Sequence, residues 1–173
     1  MKPQLTKIVY KNKYFSIGLE NGYYSLIPKY QDVLILPIVD KNKFLLIKAK
    51  RKLLKKSLYE FPAGGFEIKK ERPIKAAKRE FVEETGIDIS ENKFFKLGNF
   101  FQIPNRIKSQ IYIYGVNILS SDVKKKFKSD EIESVTIKSL KQIINLTKKG
   151  KFCTAVPCAA MLSLLIRKNK IKF

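Results

Sequence analysis

Three glutamates, Glu80, Glu83 and Glu84, are spaced so that a helix would present them within about 100° of arc on one face. Each pair of like charges three or four residues apart costs a helix about a few tenths of a kcal/mol. Such a set is tolerated most readily around a hard divalent cation, and an all-oxygen ligand set favours Mg²⁺, with Mn²⁺ as a substitute, over zinc. Taken alone, Glu-x-x-Glu-Glu reads rather as a solvated acidic helix face. Arg79, next in the chain, can reach back to a neighbouring carboxylate and hold it. The chain has no His, which excludes His general bases, Ser-His-Asp triads and His-containing metal sites. Its two cysteines, Cys153 and Cys158, are too few for a zinc site and read as buried thiols.

The elements that must position these residues can be placed from periodicity. Pro73 suits the first turn of a helix, Ile74, Ala77 and Phe81 recur at helical spacing, and Gly86 stands where a C-terminal cap belongs, so a helix is predicted over 73–85. Short strands are predicted at 8–10, 14–19 and 23–27, with a turn at Asn21-Gly22. The apolar run 33–39 reads as a central buried strand, with Pro37 marking a bend or end, and 44–49 as its hairpin partner. Residues 50–56 read as a basic loop. Strands follow at 94–101, 110–118 and 133–137. A helix begins at Ser139, where Gln142 completes a capping box, and ends near Gly150. A last helix runs over 155–167 with Thr154 as its N-cap. This order of strands and helices gives an α/β layered domain rather than a bundle.

The chain of 173 residues is the size of one domain with a small N-terminal appendage, read here as 1–30 followed by 31–173. Its net charge of +21 points to a polyanionic partner or to a Lys-rich composition. The cations are mostly Lys and are spread along the whole length, as composition alone would give. Nucleic acid is therefore an allowed but not a favoured partner. No apolar leader opens the chain, and the apolar stretch 153–166 is too short and too interrupted to span a bilayer, so a cytoplasmic location with no membrane partner is expected.

The full string Gly65, Glu71, Arg79, Glu80, Phe81, Glu83, Glu84, Gly86 and Ile87, at these spacings, resembles the Nudix box of the MutT-like Nudix hydrolases at every defined position. The resemblance implies an α/β/α sandwich with a mixed β-sheet, in which the box forms a loop–helix–loop. It implies that Glu80, Glu83 and Glu84 coordinate Mg²⁺ together with a backbone carbonyl at Gly64 or Ala63. Glu71 and Arg79 would then orient the ligands, and water would attack phosphorus in line.

Outside the box the chain resembles the ADP-ribose pyrophosphatase group over roughly residues 5–165. The segment 45–51 places Arg51 where that group has a substrate-contacting arginine, and Glu60-Phe61-Pro62-Ala63-Gly64 matches its lead-in, which makes Glu60 a candidate for the substrate side. The acids at 130–133 resemble a loop that provides the catalytic base, giving Glu131 and Glu133 as candidates beside Glu83 and Glu84. Arg106, in the 105–109 loop, is either a second phosphate contact or a surface charge. Ala49 replaces the group's Gln, the lead-in carries an extra glycine, and Pro104 comes a residue or two late. The expected substrate is a small nucleotide-sugar, ADP-ribose by preference, cleaved to AMP and a sugar phosphate. The alternatives are a modified dNTP or an RNA 5′ end, and a non-catalytic polyanion-binding module. The group also implies a homodimer built on the N-terminal strands.

Overall fold

The computed structural model describes residues 7–123, 127 and 129–167. Three antiparallel strands come first, β1 (Lys7–Lys11), β2 (Phe15–Glu20) and β3 (Tyr23–Pro28), in the order β1-β2-β3. The turn between β2 and β3 has Asn21 at φ 51° and Gly22 at φ 80°. Two successive left-handed residues match the twist of a tight hairpin, which is why Asn-Gly stands there.

Seven strands make the main sheet: β4 (Gln31–Val39), β5 (Lys43–Arg51), β6 (Lys56–Glu60), β7 (Ala63–Phe66), β8 (Phe94–Phe101), β9 (Gln110–Ile118) and β10 (Ile132–Ser139). The order is β10-β5-β4-β9-β8, with β6 added to β5 and β7 to β4. The sheet is mixed, because β4 runs parallel to β9 while its other pairings are antiparallel.

Every residue of β4 from Val33 to Val39 is buried, so the strand is apolar throughout and not alternating. Its odd residues Val33, Ile35 and Val39 pack with Ala76, Ala77 and Phe81 of α1 (Pro73–Thr85). Its even residues Leu34, Leu36 and Ile38 pack with Ile143 of α2 (Leu140–Lys148) and with Ala160, Met161 and Leu164 of α3 (Ala155–Arg167). Helices cover both faces, the expected α/β/α sandwich. The helix ends also follow the sequence. Gly86 caps α1 at φ 69° and donates to the Val82 carbonyl, while Ser139 and Gln142 form a reciprocal capping box on α2.

Several expectations are corrected. Pro37 neither ends nor interrupts β4. It falls between the stretch paired with β7 (residues 31–34) and the stretch paired with β5 (residues 38–39), where the missing N–H leaves no ladder bond unmade. The basic stretch 50–56 is not all loop. Lys50 and Arg51 complete β5, a 3-10 turn holds Lys52–Leu54, Lys55 is left-handed at φ 50°, and Lys56 begins β6. Thr154 does not cap α3, since its buried hydroxyl has no hydrogen-bond partner. Cys153 is exposed and Cys158 half-buried, both as free thiols. Among the described residues no helix is long and apolar enough to cross a membrane.

Candidate active site

One helix and one short strand build the acidic site. β7 pairs with β4 so that Val33 faces Gly64 and Asp32 faces Gly65. Because α1 is pinned to the sheet through Ala76, Ala77 and Phe81, its acidic edge is carried against β7. Glu84 accepts a hydrogen bond from the Ala63 amide at 2.8 Å. Glu80 lies on the α-carbon of Gly64, and a β-carbon at that position would stand 2.0–2.3 Å from its carboxyl atoms. The glycine is required by this close approach and not by its own backbone angles.

Arg79 organises the rest. Its Nε and Nη2 donate to the two oxygens of Glu71 at 3.2 and 3.0 Å, a two-pronged contact that fixes the guanidinium plane. Nη1 donates to Glu80 at 2.7 Å and to Glu83 at 3.2 Å, and Nη2 donates also to the Gly65 carbonyl at 3.1 Å. These contacts, led by those to Glu71, raise the pKa of Arg79 above its ordinary value. The box arginine therefore ties the loop, the helix and the strand together.

Electrostatically, the site is loaded against its own charges. Burial pushes the Glu84 carboxyl up to about 8, opposed by the Ala63 amide and reinforced by the negative charge of Glu80. Burial also raises Glu80, with Arg79 acting the other way. Both are hard oxygen donors converging on the 63–64 backbone, and a divalent cation between them would favour their ionised forms. In kind and place they fit Mg²⁺ or Mn²⁺. Among the described residues no three acidic, His or Cys side chains converge into a closed ligand cluster. Arg79 holds exposed Glu83 and one oxygen of Glu80.

Beside the acids opens a cleft of about 640 Å³ whose walls include Arg51, Glu60, Ala63, Gly64, Phe100 and Phe101. Arg51 Nε donates to Glu60 at 3.0 Å and Nη2 grips the other oxygen, so buried Glu60 orients the arginine from behind. Arg51 and Glu60, picked out together in the sequence, are thus one unit on the cleft wall.

The remaining candidates lie elsewhere. Glu133 is held by the Ser57 hydroxyl at 2.6 Å and Lys48 at 2.7 Å, and these contacts lower its pKa. The Glu131 carbonyl accepts from the Lys50 amide at 2.9 Å, while its exposed carboxylate is near enough for its charge to be felt at Arg51. Neither acid lines the cleft. Arg106 lies over the Tyr23 ring, 6.0 Å from its centroid, and reaches the Tyr24 carbonyl. It braces the 105–109 loop against β3 and is likewise absent from the cleft wall. Sequence reasoning missed Asp32 and Gln102, which do line the cleft and share a 3.3 Å hydrogen bond. An acid just before an apolar run reads as a turn, so no local signal marked it.

Comparison with known proteins agrees with this geometry. The NUDIX domain family model matches residues 28–153. The chain is 28% identical over 136 residues to an ADP-ribose pyrophosphatase of Bacillus subtilis (strain 168), covering 78% of this chain and 72% of that protein. It is 35% identical over 92 residues to an 8-oxo-dGTP diphosphatase of Buchnera aphidicola subsp. Schizaphis graminum (strain Sg), covering 49% of this chain and 70% of that one. Among solved structures, an ADP compounds hydrolase shares the fold with a TM-score of 0.73 at 19% identity, over 97% of this chain and 95% of that chain.

Proposed function

The chain belongs to the NUDIX domain family and is a pyrophosphohydrolase, and on that premise we propose that it cleaves the diphosphate of a nucleoside diphosphate joined to a sugar, ADP-ribose by preference, to AMP and a sugar phosphate. The observation that carries this reading is the convergence of Glu80 and Glu84 on the Ala63–Gly64 backbone at the edge of a cleft that also holds Arg51. A diphosphate placed at that edge leaves the nucleoside half facing the apolar walls of the cleft.

In this reading Glu80, Glu83, Glu84 and the Gly64 backbone would hold Mg²⁺. The cation supplies neutralisation of the diphosphate charge. Arg79, clamped by Glu71, keeps Glu80 aimed at the 64–65 backbone. Arg51, oriented by Glu60, binds a phosphate oxygen through its outward edge. Glu131 takes the proton from the attacking water in preference to Glu133, whose oxygens are engaged by Lys48 and Ser57. Two copies pair through the N-terminal sheet, whose Ile8, Val9, Tyr10 and Tyr24 are about half exposed. The enzyme works in the cytoplasm.

A product screen, reading released phosphomonoesters through a coupled phosphatase with and without Mg²⁺, tests the proposal on ADP-ribose, other nucleotide-sugars, dinucleoside polyphosphates and dNTPs. Mg²⁺-dependent release of AMP from ADP-ribose supports it, and turnover confined to dNTPs overturns it in favour of the second reading. That reading, hydrolysis of a modified dNTP, draws on the similarity to the 8-oxo-dGTP diphosphatase, which covers about half of this chain.

A further inference from the structure

Asp32 is the second residue of β4 and pairs with Gly65, and its Oδ1 lies 3.9 Å from where a β-carbon on that glycine would stand. Its Oδ2 accepts from Gln102 Nε2 at 3.3 Å. The chain carries 36 Lys and Arg residues. Among the described residues, however, no Lys or Arg forms an ion pair with Asp32. A half-buried carboxylate on a cleft wall, with no cation, has given up hydration that this one hydrogen bond only partly replaces. Its remaining acceptor capacity is open to water or to a donor on a ligand in the cleft.

The chemistry of that ligand follows from the pair. Gln102 gives one of its two amide N–H groups to Asp32 and keeps the other together with its carbonyl oxygen. A carboxylate beside an amide suits two adjacent hydroxyls, each of which can donate to the one and either donate to or accept from the other. Position selects between the possible donors. Gly65 is one residue from Gly64, against which Glu80 lies, so Asp32 is next to the diphosphate edge, where a sugar directly follows the phosphate. The apolar side chains of Phe100, Phe101 and Ile103 extend the wall beyond it, as a stacking base requires.

We propose that Asp32, with Gln102, receives the 2′,3′-diol of the nucleoside ribose and makes the site selective for ribonucleotides over 2′-deoxyribonucleotides. The inference rests on the nucleoside diphosphate–sugar reading above and names which part of that substrate is read.

Calorimetric titration of the whole protein with AMP and with 2′-deoxy-AMP, in Mg²⁺ buffer, tests it without relying on turnover. The wild type is expected to bind AMP about 10- to 100-fold tighter, the range for a hydrogen bond to a charged group. Asp32→Asn is expected to weaken AMP several-fold more than 2′-deoxy-AMP, which keeps the 3′-hydroxyl, so that most of the preference is lost, and Gln102→Leu to lower the preference part-way. Equal binding of the two nucleotides by the wild type, or no binding of either, overturns the proposal. So does a preference that survives Asp32→Asn, or a changed Mg²⁺ affinity in that variant, which would make Asp32 a metal group. Tighter binding of GMP than AMP, lost in Asp32→Asn, would assign the pair to a base edge instead. Should Asp32→Asn fail to fold, the wild-type comparison and Gln102→Leu decide the matter. A ribose preference in a protein that fails to cleave ADP-ribose would sink the proposed reaction and leave this site standing.

Discussion

The carboxylate of Glu80 rests against the α-carbon of Gly64 so closely that a methyl group there would stand 2.0 Å from its carboxyl carbon. The obstacle is the end of a flexible side chain, so Gly64→Ala displaces Glu80 and leaves the fold in place. Turnover is expected to fall about 100-fold, the effect of an ångström-scale misplacement. The Tm should stay within about 3 °C, the shift that roughly 1 kcal/mol gives in a chain this size. A collapse of Tm with full specific activity in the surviving protein would refute this account.

Glu84 gives a pH dependence of defined sign. Its folded pKa, raised to about 8 by burial, lies above the ordinary value of 4.5. The folded protein therefore holds a proton there that the unfolded chain loses. The stabilising contribution is complete below about pH 4.5 and is lost as pH rises toward 8. Glu84→Gln keeps an acceptor for the Ala63 amide and removes this titration. In chelator, melts across pH 5–9 should show the wild type losing stability relative to the variant as pH rises. Parallel curves would count against it. The same variant should lose about 10²- to 10⁴-fold in kcat with Mg²⁺ present.

Arg51 and Glu60 should behave as a unit. Glu60 is only 8% exposed, so Arg51→Ala strands its charge on the cleft wall. Because Arg51 itself is 41% exposed, solvent screens the pair and the loss should be about 1–2 kcal/mol, below that for a fully buried pair. Adding Glu60→Gln should restore most of that stability without restoring KM. Denaturant unfolding of the two single variants and the double reads this directly, and simple additivity would refute the coupling.

The two acids of β10 and its entry loop should part company. Glu131→Gln is expected to lower kcat by about 10²- to 10⁴-fold with KM little changed. Glu133→Gln breaks contacts to Lys48 and Ser57 and should lower the Tm slightly, with kcat largely kept. Steady-state kinetics and melts on both variants, compared side by side, would expose the reverse assignment.

How much of this was legible in sequence divides along physical lines. The 73–85 helix was, because Pro73, an apolar stripe and Gly86 all say the same thing locally. So was the buried strand ending at Val39, whose apolar run fits a sheet covered on both faces. β7 was not. Ala63-Gly-Gly-Phe66 has neither alternation nor β-branched residues, and it is a strand only because β4 offers it an edge. The partners of Arg79 could be anticipated from spacing, but the position of Arg106 could not. It depends on the 105–109 loop hydrogen-bonding to β3, a contact between distant parts of the chain. Asp32 was hidden for the same reason, since its neighbours Gly65 and Gln102 are brought to it only by the folded sheet.

The parallel ladder joining β4 to β9, from Asp32↔Ile111 to Val39↔Ile118, sets a timetable for the molecule. Parallel pairing between segments so far apart along the chain must close a long loop before its contacts repay the lost entropy, so it forms slowly compared with a hairpin such as β2–β3. β4 is also the strand that receives β7 and carries Asp32. Recovery of activity after dilution from denaturant should therefore lag behind the first gain of strand and helix signal, with ligand recognition among the last properties to return.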